Sequence, residues 1–356
     1  MRAFWSRLLI VLAVLGGAHV YIWWRLVEPL PSPWREVGTA VVALFGPSLP
    51  LVMIISRGMS RDAARRVQLV GYLWFGLAVY LLLGAWGSHV AVGLGASARD
   101  AAAVAGAAAI ATVVLGLVHV TRGPRVRRVE VPLEKLGVDG YRIVQLTDVH
   151  IGNSLGREFA ERVVRQVNEL EPDLVVITGD FVDGRLSELQ HHVEPFRELR
   201  ARDGVYAVTG NHEYYWNAGL WLEHLRSLDI NILRNEHVTI GGAFQLAGVD
   251  DVTASEDLPR ALRGRDPTLP VVLLAHHPRT IKRAAAAGVD LQLSGHTHGG
   301  QLLPLGWLIR LFEPKAAGLA RFGASWLYVS EGTGYWGPPL RVGTTQEITA
   351  ITLRRA

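Results

Sequence analysis

The sequence predicts an α/β domain placed behind a membrane-embedded helical region, and three observations carry that reading. Long apolar runs without a charged side chain crowd the first 121 residues. After residue 122, short apolar runs alternate with amphipathic ones, the pattern of strands alternating with helices. The Asp-, Asn- and His-rich segments of that second part each follow a short apolar run, where open α/β sheets place their ligands.

Residues 8–24, 37–56, 67–98 and 101–121 form the uncharged runs. Crossing the hydrocarbon core takes roughly 20 apolar residues, so four helices are expected, with the Gly/Ser-rich stretch 87–97 joining the third to the fourth. The first run ends in Tyr21, Trp23 and Trp24, as an interfacial aromatic belt would. Arg2 and Arg7 before an apolar stretch also fit a cleaved leader, but three further runs favour an anchor. Arg2 and Arg7, then Arg57, Arg61, Arg65 and Arg66, then Arg122, Arg125, Arg127 and Arg128 occupy alternate connections. The intervening ones hold only Arg25, Arg35 and Arg99. With four spans, the positive-inside rule puts both termini in the cytoplasm. The expectation is a multi-pass protein of the inner or plasma membrane. His19, His89 and His119 are read as interfacial or bundle-facing imidazoles, and Pro47 and Pro50 as kinks in the second helix.

Gly123-Pro124 closes the helical region, dividing the chain into residues 1–122 and 123–356. Strands are expected over 126–131 (ended by Pro132), 141–146, 174–177, 205–208, 238–240, 244–248, 271–275, 291–293, 326–329 and 348–353. Helices are expected over 157–170, 191–200 and 220–228. The chain is 49% hydrophobic and has no cysteine, which excludes disulfides, thiolate ligands and cysteine nucleophiles. A net charge of +4 argues only weakly for nucleic acid, because the arginines cluster beside the apolar runs.

Five segments carry chemistry: Asp148-Val149-His150, Gly179-Asp180-Phe181-Val182-Asp183, Gly210-Asn211-His212-Glu213, His276-His277 and Gly295-His296-Thr297-His298. Neutral imidazoles and carboxylates bind borderline divalent metals, and a carboxylate can bridge two ions. Asp-x-His and His-x-His offer two ligands within one turning segment, and the adjacent glycines permit tight turns. Of His276 and His277 only one is expected to be a ligand, and His276 follows its strand directly. Glu213 is read as a structural hydrogen-bonder and Asp250-Asp251 as loop support. Gly152-Asn153-Ser154-Leu155-Gly156 fits a serine-hydrolase elbow. That reading leaves the other segments unexplained, so Ser154 is better placed near a helix N-cap.

Together, and in this order, the five segments resemble the calcineurin-like metallophosphoesterase superfamily over residues 141–353. The resemblance implies a four-layer α/β/β/α sandwich preceded here by the four-helix transmembrane region. It implies that Asp148, His150 and His298 hold one divalent metal, that Asn211, His276 and His296 hold the other, and that Asp180 bridges them. The metal identity is open among Mn, Fe and Zn. A bridging hydroxide would attack phosphorus in line. His212 would protonate the leaving oxygen, with Asp183 orienting it. The implied function is a membrane-anchored phosphoester or pyrophosphate hydrolase. The apolar stretch 302–312 and Gly334–Leu340, with Tyr335 and Trp336, reads as a lip facing lipid, with Arg310, Lys315 and Arg341 as phosphate holders. That reading favours a lipid-linked substrate such as a UDP-diacylglucosamine-like pyrophosphate. A general phosphodiesterase or nuclease, a phosphoprotein phosphatase and an inactive metal-binding membrane scaffold remain as alternatives.

Overall fold

A computed structural model describes residues 2–56 and 59–356. Arg57 lies outside the described residues, as do the side chains of Arg2, Arg7 and Arg61. The chain divides into two compact units, Met1–His119 with Gly337–Val342, and Val120–Trp336 with Gly343–Ala356.

The first unit is helical: α1 (Arg2–Ile22) running into a π-helical turn at Trp23–Val27, α2 (Trp34–Phe45), α3 (Ser48–Ile55), α4 (Arg61–Gly93) and α5 (Ala98–Thr121). Among the described residues, three helical stretches are long and apolar enough to cross a membrane: Leu9–Val27, Asp62–Gly93 and Ala98–Thr121. The expected four is therefore corrected. The second apolar run breaks at Gly46-Pro47 into α2 and α3, because the proline offers no backbone N–H to the turn before it. The stretch 87–97 is not the expected connection either: α4 continues to Gly93, and only residues 94–97 join it to α5. At 33 residues α4 measures about 50 Å, well beyond the roughly 30 Å hydrocarbon core. Ile22, Leu26, Trp74, Ala78, Ala85 and Ala102 pack as one buried cluster. His19 belongs to this packing, accepting from the Trp74 indole at 3.1 Å, and His89 meets the Tyr21 hydroxyl at 3.3 Å.

The second unit holds two six-stranded sheets. The first has the order β1 (Arg125–Leu133), β12 (Glu347–Arg355), β2 (Tyr141–Leu146), β3 (Leu174–Thr178), β4 (Val205–Val208), β5 (Ile230–Ile232). The second runs β10 (Gly318–Phe322), β11 (Ser325–Val329), β9 (Leu291–Ser294), β8 (Val271–Leu274), β7 (Phe244–Gly248), β6 (Glu236–Ile240). β1 continues through Pro132, where a stop was expected. It is an edge strand, so a residue without an N–H does no harm there. Strands β2 to β5 pair in parallel, as do β7, β8, β9 and β11. Their apolar runs, 174–177 and Val271–Leu274 among them, are buried throughout.

Side chains of both sheets share one core: Ile143, Leu174 and Val176 from the first meet Leu246, Val272 and Leu291 from the second. The outer face of the first sheet is covered by α6 (Arg157–Asn168), α7 (Leu186–Val193) and α9 (Ala218–Ser227). α6 buries Phe159, Ala160, Val163, Val164 and Val167, the stripe its spacing predicts. α8 (Asn211–Tyr215) is a single turn at the end of β4. Outside the second sheet, α10 (Leu258–Ala261) and α11 (Ile281–Ala286) contribute Leu258, Ala261 and Ala284 to a third cluster. The residue that caps α6 is Gly156, with no side-chain bond, so Ser154 is not the cap.

Candidate metal centre

The parallel strands all deliver chain to one rim. Asp148 follows β2, Asp180 follows β3, Asn211 follows β4, His276 follows β8 and His296 follows β9. All five are buried or nearly so, although each belongs to a polar residue type. Asp148, His150, Asp180, His296 and His298 have φ of 49°, 49°, 51°, 69° and 50°. Side chains bearing a Cβ avoid this left-handed region, at a cost of about 1–3 kcal/mol each, and it concentrates at functional sites. The turns aim these side chains inward rather than along the sheets.

Their donor atoms converge. His150 Nε2 lies 3.1 Å from His298 Nε2, and His298 Nε2 lies 3.3 Å from Asp148 Oδ1. Asp180 Oδ2 sits 3.2 Å from His276 Nε2 and 3.9 Å from both His150 Nε2 and His212 Nε2. Three groups of ligand atoms result: Asp148, His150 and His298; His150, Asp180 and His212; Asp180, His276 and His296. His150 and Asp180 each belong to two of them, so the groups form one continuous cluster.

The donor set suits a divalent cation. Burial, followed by its neighbouring histidines, holds His296 neutral with a pKa of about 2, and burial also lowers His150. Neutral imidazole is the form that binds metal. Burial opposes a proton on His276, but the charge of Asp180 outweighs it and raises the imidazole well above its usual value. A divalent cation replaces such a proton. Asn211 Oδ1 is buried without a hydrogen-bond partner among the described residues, and a buried acceptor left so can be satisfied by an ion.

Around this cluster the backbone is locked. Glu213 is buried and its carboxylate accepts from the N–H groups of Gly210 (2.7 Å), Phe181 (2.8 Å), Asp180 (3.1 Å) and Val182 (3.3 Å). It fastens the loop after β3 to the loop after β4, as its structural reading anticipated. Two glycines are indispensable for close approach. A Cβ on Gly210 would meet Asp180 Oδ1, and one on Gly295 would meet Thr147 Oγ1 and Asp148 Oδ2. Gly295→Ala is expected to destabilise the fold by about 1–3 kcal/mol, the usual cost of overpacking, read as a lowered denaturation midpoint. An unchanged midpoint would show that the cradle has slack.

His212 and Asp183 form a separate pair. His212 Nδ1 is 3.2 Å from Asp183 Oδ1, and the Trp216 indole N–H donates to the same oxygen at 3.0 Å. The backbone N–H of His212 donates to Asp180 Oδ1 at 2.9 Å. Burial disfavours a charged His212, but its bond to Asp183 and the field of Asp180 prevail and raise its pKa. The rings of Tyr215 and Trp336 lie 5.1 and 5.8 Å from it.

The structure brings Asp148, His150, Asp180, His276, His296 and His298 together, with His212 and Asp183 beside them, while Asn211 is buried after β4 with its Nδ2 on the Tyr215 hydroxyl at 3.2 Å. Three others are buried. Arg341 is 1% exposed. Asp251, read as loop support, accepts from the Thr253 N–H at 2.8 Å and also lies 3.2 Å from His277, the residue of the pair not read as a ligand; both are buried. Trp216 was not anticipated, and only its nearness to Asn211-His212 could have drawn attention to it.

Residues 141–300 match the family described as calcineurin-like phosphoesterase. A bovine protein named transmembrane protein with metallophosphoesterase domain is 37% identical, the match spanning 97% of this chain and 88% of the relative. A protein of the same name from Danio rerio is 41% identical over 68% of this chain and 60% of its own length. An uncharacterized metallophosphoesterase of Helicobacter pylori is 38% identical over 65% and 64% respectively. With its apolar N-terminal helices and its metal-competent rim, the chain belongs to the calcineurin-like phosphoesterase family and is a metal-dependent phosphoester hydrolase of the membrane.

Proposed function

We propose that this hydrolase uses two divalent cations, Asp148, His150 and His298 holding one and Asn211, His276 and His296 the other, with Asp180 shared. The observation that carries the proposal is the position of Asp180 Oδ2, within 3.9 Å of imidazole nitrogens from both halves of the cluster. The α/β/β/α layering and the division into a membrane region, 1–122, and a catalytic domain, 123–356, belong to the same reading. When bound, such a pair supplies positive charge for a phosphoryl group and lowers the pKa of a water.

The chain's own groups do the remaining work. His212 keeps Nδ1 on Asp183, so Nε2 is the nitrogen turned toward Asp180 and the centre. Held protonated by that carboxylate, it delivers a proton to the departing oxygen. Asn211 contributes a neutral oxygen, which limits the negative charge a phosphate must approach. Glu213 keeps both loops still during the reaction. With three spans the two termini fall on opposite sides, not both inside as four spans would have them. The basic segment Arg122, Arg125, Arg127 and Arg128 after α5 favours the cytoplasmic side for the catalytic domain under the positive-inside rule.

The substrate we propose is a lipid-linked phosphoester or pyrophosphate. Beyond the His298 turn, the short helix α12 (Gly306–Ile309) and its exit expose Trp307 (64%), Leu308 (56%), Leu311 (75%) and Phe312 (77%). Arg310 is exposed among them. Four adjacent large apolar side chains in water are costly unless an apolar partner covers them, and a lipid chain is such a partner. Purified full-length protein loaded with Mn²⁺ is expected to hydrolyse bis(p-nitrophenyl) phosphate and lipid pyrophosphates, losing both activities on chelation. Leu311→Asp with Phe312→Asp is expected to raise KM for the lipid pyrophosphate at least about tenfold, since each apolar side chain contributes about 1.5–3 kcal/mol when buried. The soluble diester should be unaffected. Equal effects on both substrates would rule out the lip as a lipid contact, and no turnover of either would rule out the enzyme.

A further inference from the structure

Beside the cluster lies a second set of charged groups, gathered round a buried histidine, that the hydrolytic reading does not use. His277 is 3% exposed, and its ring lies 3.7 Å, centroid to centroid, from the ring of His296. Three charged side chains surround it. Asp251 Oδ2 is 3.2 Å from Nε2, the Arg279 guanidinium is 3.0 Å from Nδ1, and Glu313 Oε1 is 3.6 Å from Nδ1. These groups are themselves fixed. Asp251 Oδ1 accepts from the Thr253 N–H at 2.8 Å, and Glu313 accepts from the Arg279 N–H at 2.9 Å. Asp251 and Glu313 are 2% and 6% exposed.

His277, His296 and Glu313 bring ligand atoms close enough for an ion. Arg279 argues against one there, because its guanidinium already lies against both His277 and Glu313. A cation would have to displace a cation that is held in place by its own chain. What the set presents to the cluster is the ring of His277, inclined 42° to that of His296.

We infer that His277, held by Asp251, Arg279 and Glu313, is a positioning residue that fixes the imidazole plane of His296 and so raises the metal affinity of one half of the centre. The inference rests on the ligand assignment proposed above. A His side chain rotates about two bonds, and a ligand free to rotate must be ordered when an ion binds. The ring of His277, packed at 3.7 Å and tilted 42° against that of His296, removes that freedom in advance, as outer-shell partners of metal-ligating histidines commonly do. His150 and His298, in the other half of the cluster, stack on each other at 5.1 Å. The effect should therefore fall on the ion shared by Asn211, His276 and His296 and spare the other.

The test is Mn²⁺ titration calorimetry on metal-stripped, detergent-purified full chain, with Co²⁺ absorption as a second readout. Wild type should show two classes of Mn²⁺ site. His277→Gln should weaken one class by about 10–100-fold, the usual cost of losing an outer-shell partner, and leave the other unchanged. The Co²⁺ bands of the affected class should shift, which a mere loss of stability would not cause. Asp251→Asn should weaken the same class by a smaller factor, and it serves as the reading if His277→Gln fails to fold. Unchanged Mn²⁺ affinities in both variants, with wild-type binding intact, overturn the positioning role alone. Wild type that takes up no Mn²⁺ overturns the ligand assignment, and the inference with it.

Discussion

Asp180→Asn is expected to lower kcat/KM on bis(p-nitrophenyl) phosphate by well over about 100-fold, more than loss of an outer-shell partner costs. Its Oδ2 lies within 3.9 Å of His150 and His276, one from each half of the cluster, and its Oδ1 accepts the His212 N–H at 2.9 Å. An amide keeps the shape and the Oδ1 contact but removes the negative charge that two cations would share. It also removes the charge that draws a proton to His276. The loss should appear in Mn²⁺ uptake as well as in turnover, and added Mn²⁺ should restore little. Activity within about tenfold of wild type, a difference of about 1.4 kcal/mol, would exclude Asp180 from the shared position.

His212→Gln is expected to act on chemistry and not on metal content. General acid catalysis contributes about 10²–10⁴-fold, but only where the departing oxygen needs a proton. p-Nitrophenolate leaves readily without one, so the variant should lose little on nitrophenyl esters. On an alkyl ester or a lipid pyrophosphate, whose leaving group is more basic, it should lose about 10²–10⁴-fold. Asp183→Asn should reproduce the same leaving-group dependence more weakly, because Trp216 still reaches that side chain. A uniform loss across leaving groups would assign His212 to binding instead.

The rim was legible in the sequence because each ligand segment directly follows a buried apolar strand. The strands 141–146, 205–208 and 244–248 have the bounds their patterns predict. β5 and β10 went unseen, since both lie at or near sheet edges, where burial pattern is weak: Ile230–Ile232 has three residues and Gly318–Phe322 is only partly buried. The break between α2 and α3 was read as a kink, because hydropathy alone does not reveal where a proline ends a span. The Asp251, His277 and Glu313 set was invisible for a different reason. Its members come from three separate loops, and no local spacing connects them.

The left-handed backbone at Asp148, His150, Asp180, His296 and His298 has a consequence for how the centre fills. Those turns are fixed by bonds such as Asp148 N–H to Gly179 O and His150 N–H to Asp180 O, which need no ion. The frame that carries these side chains is therefore held by the chain's own backbone bonds. Ions of similar radius should exchange into it without rearranging the chain, so choice among them falls to the cell's supply. An ion too large for the fixed frame should be refused by shape.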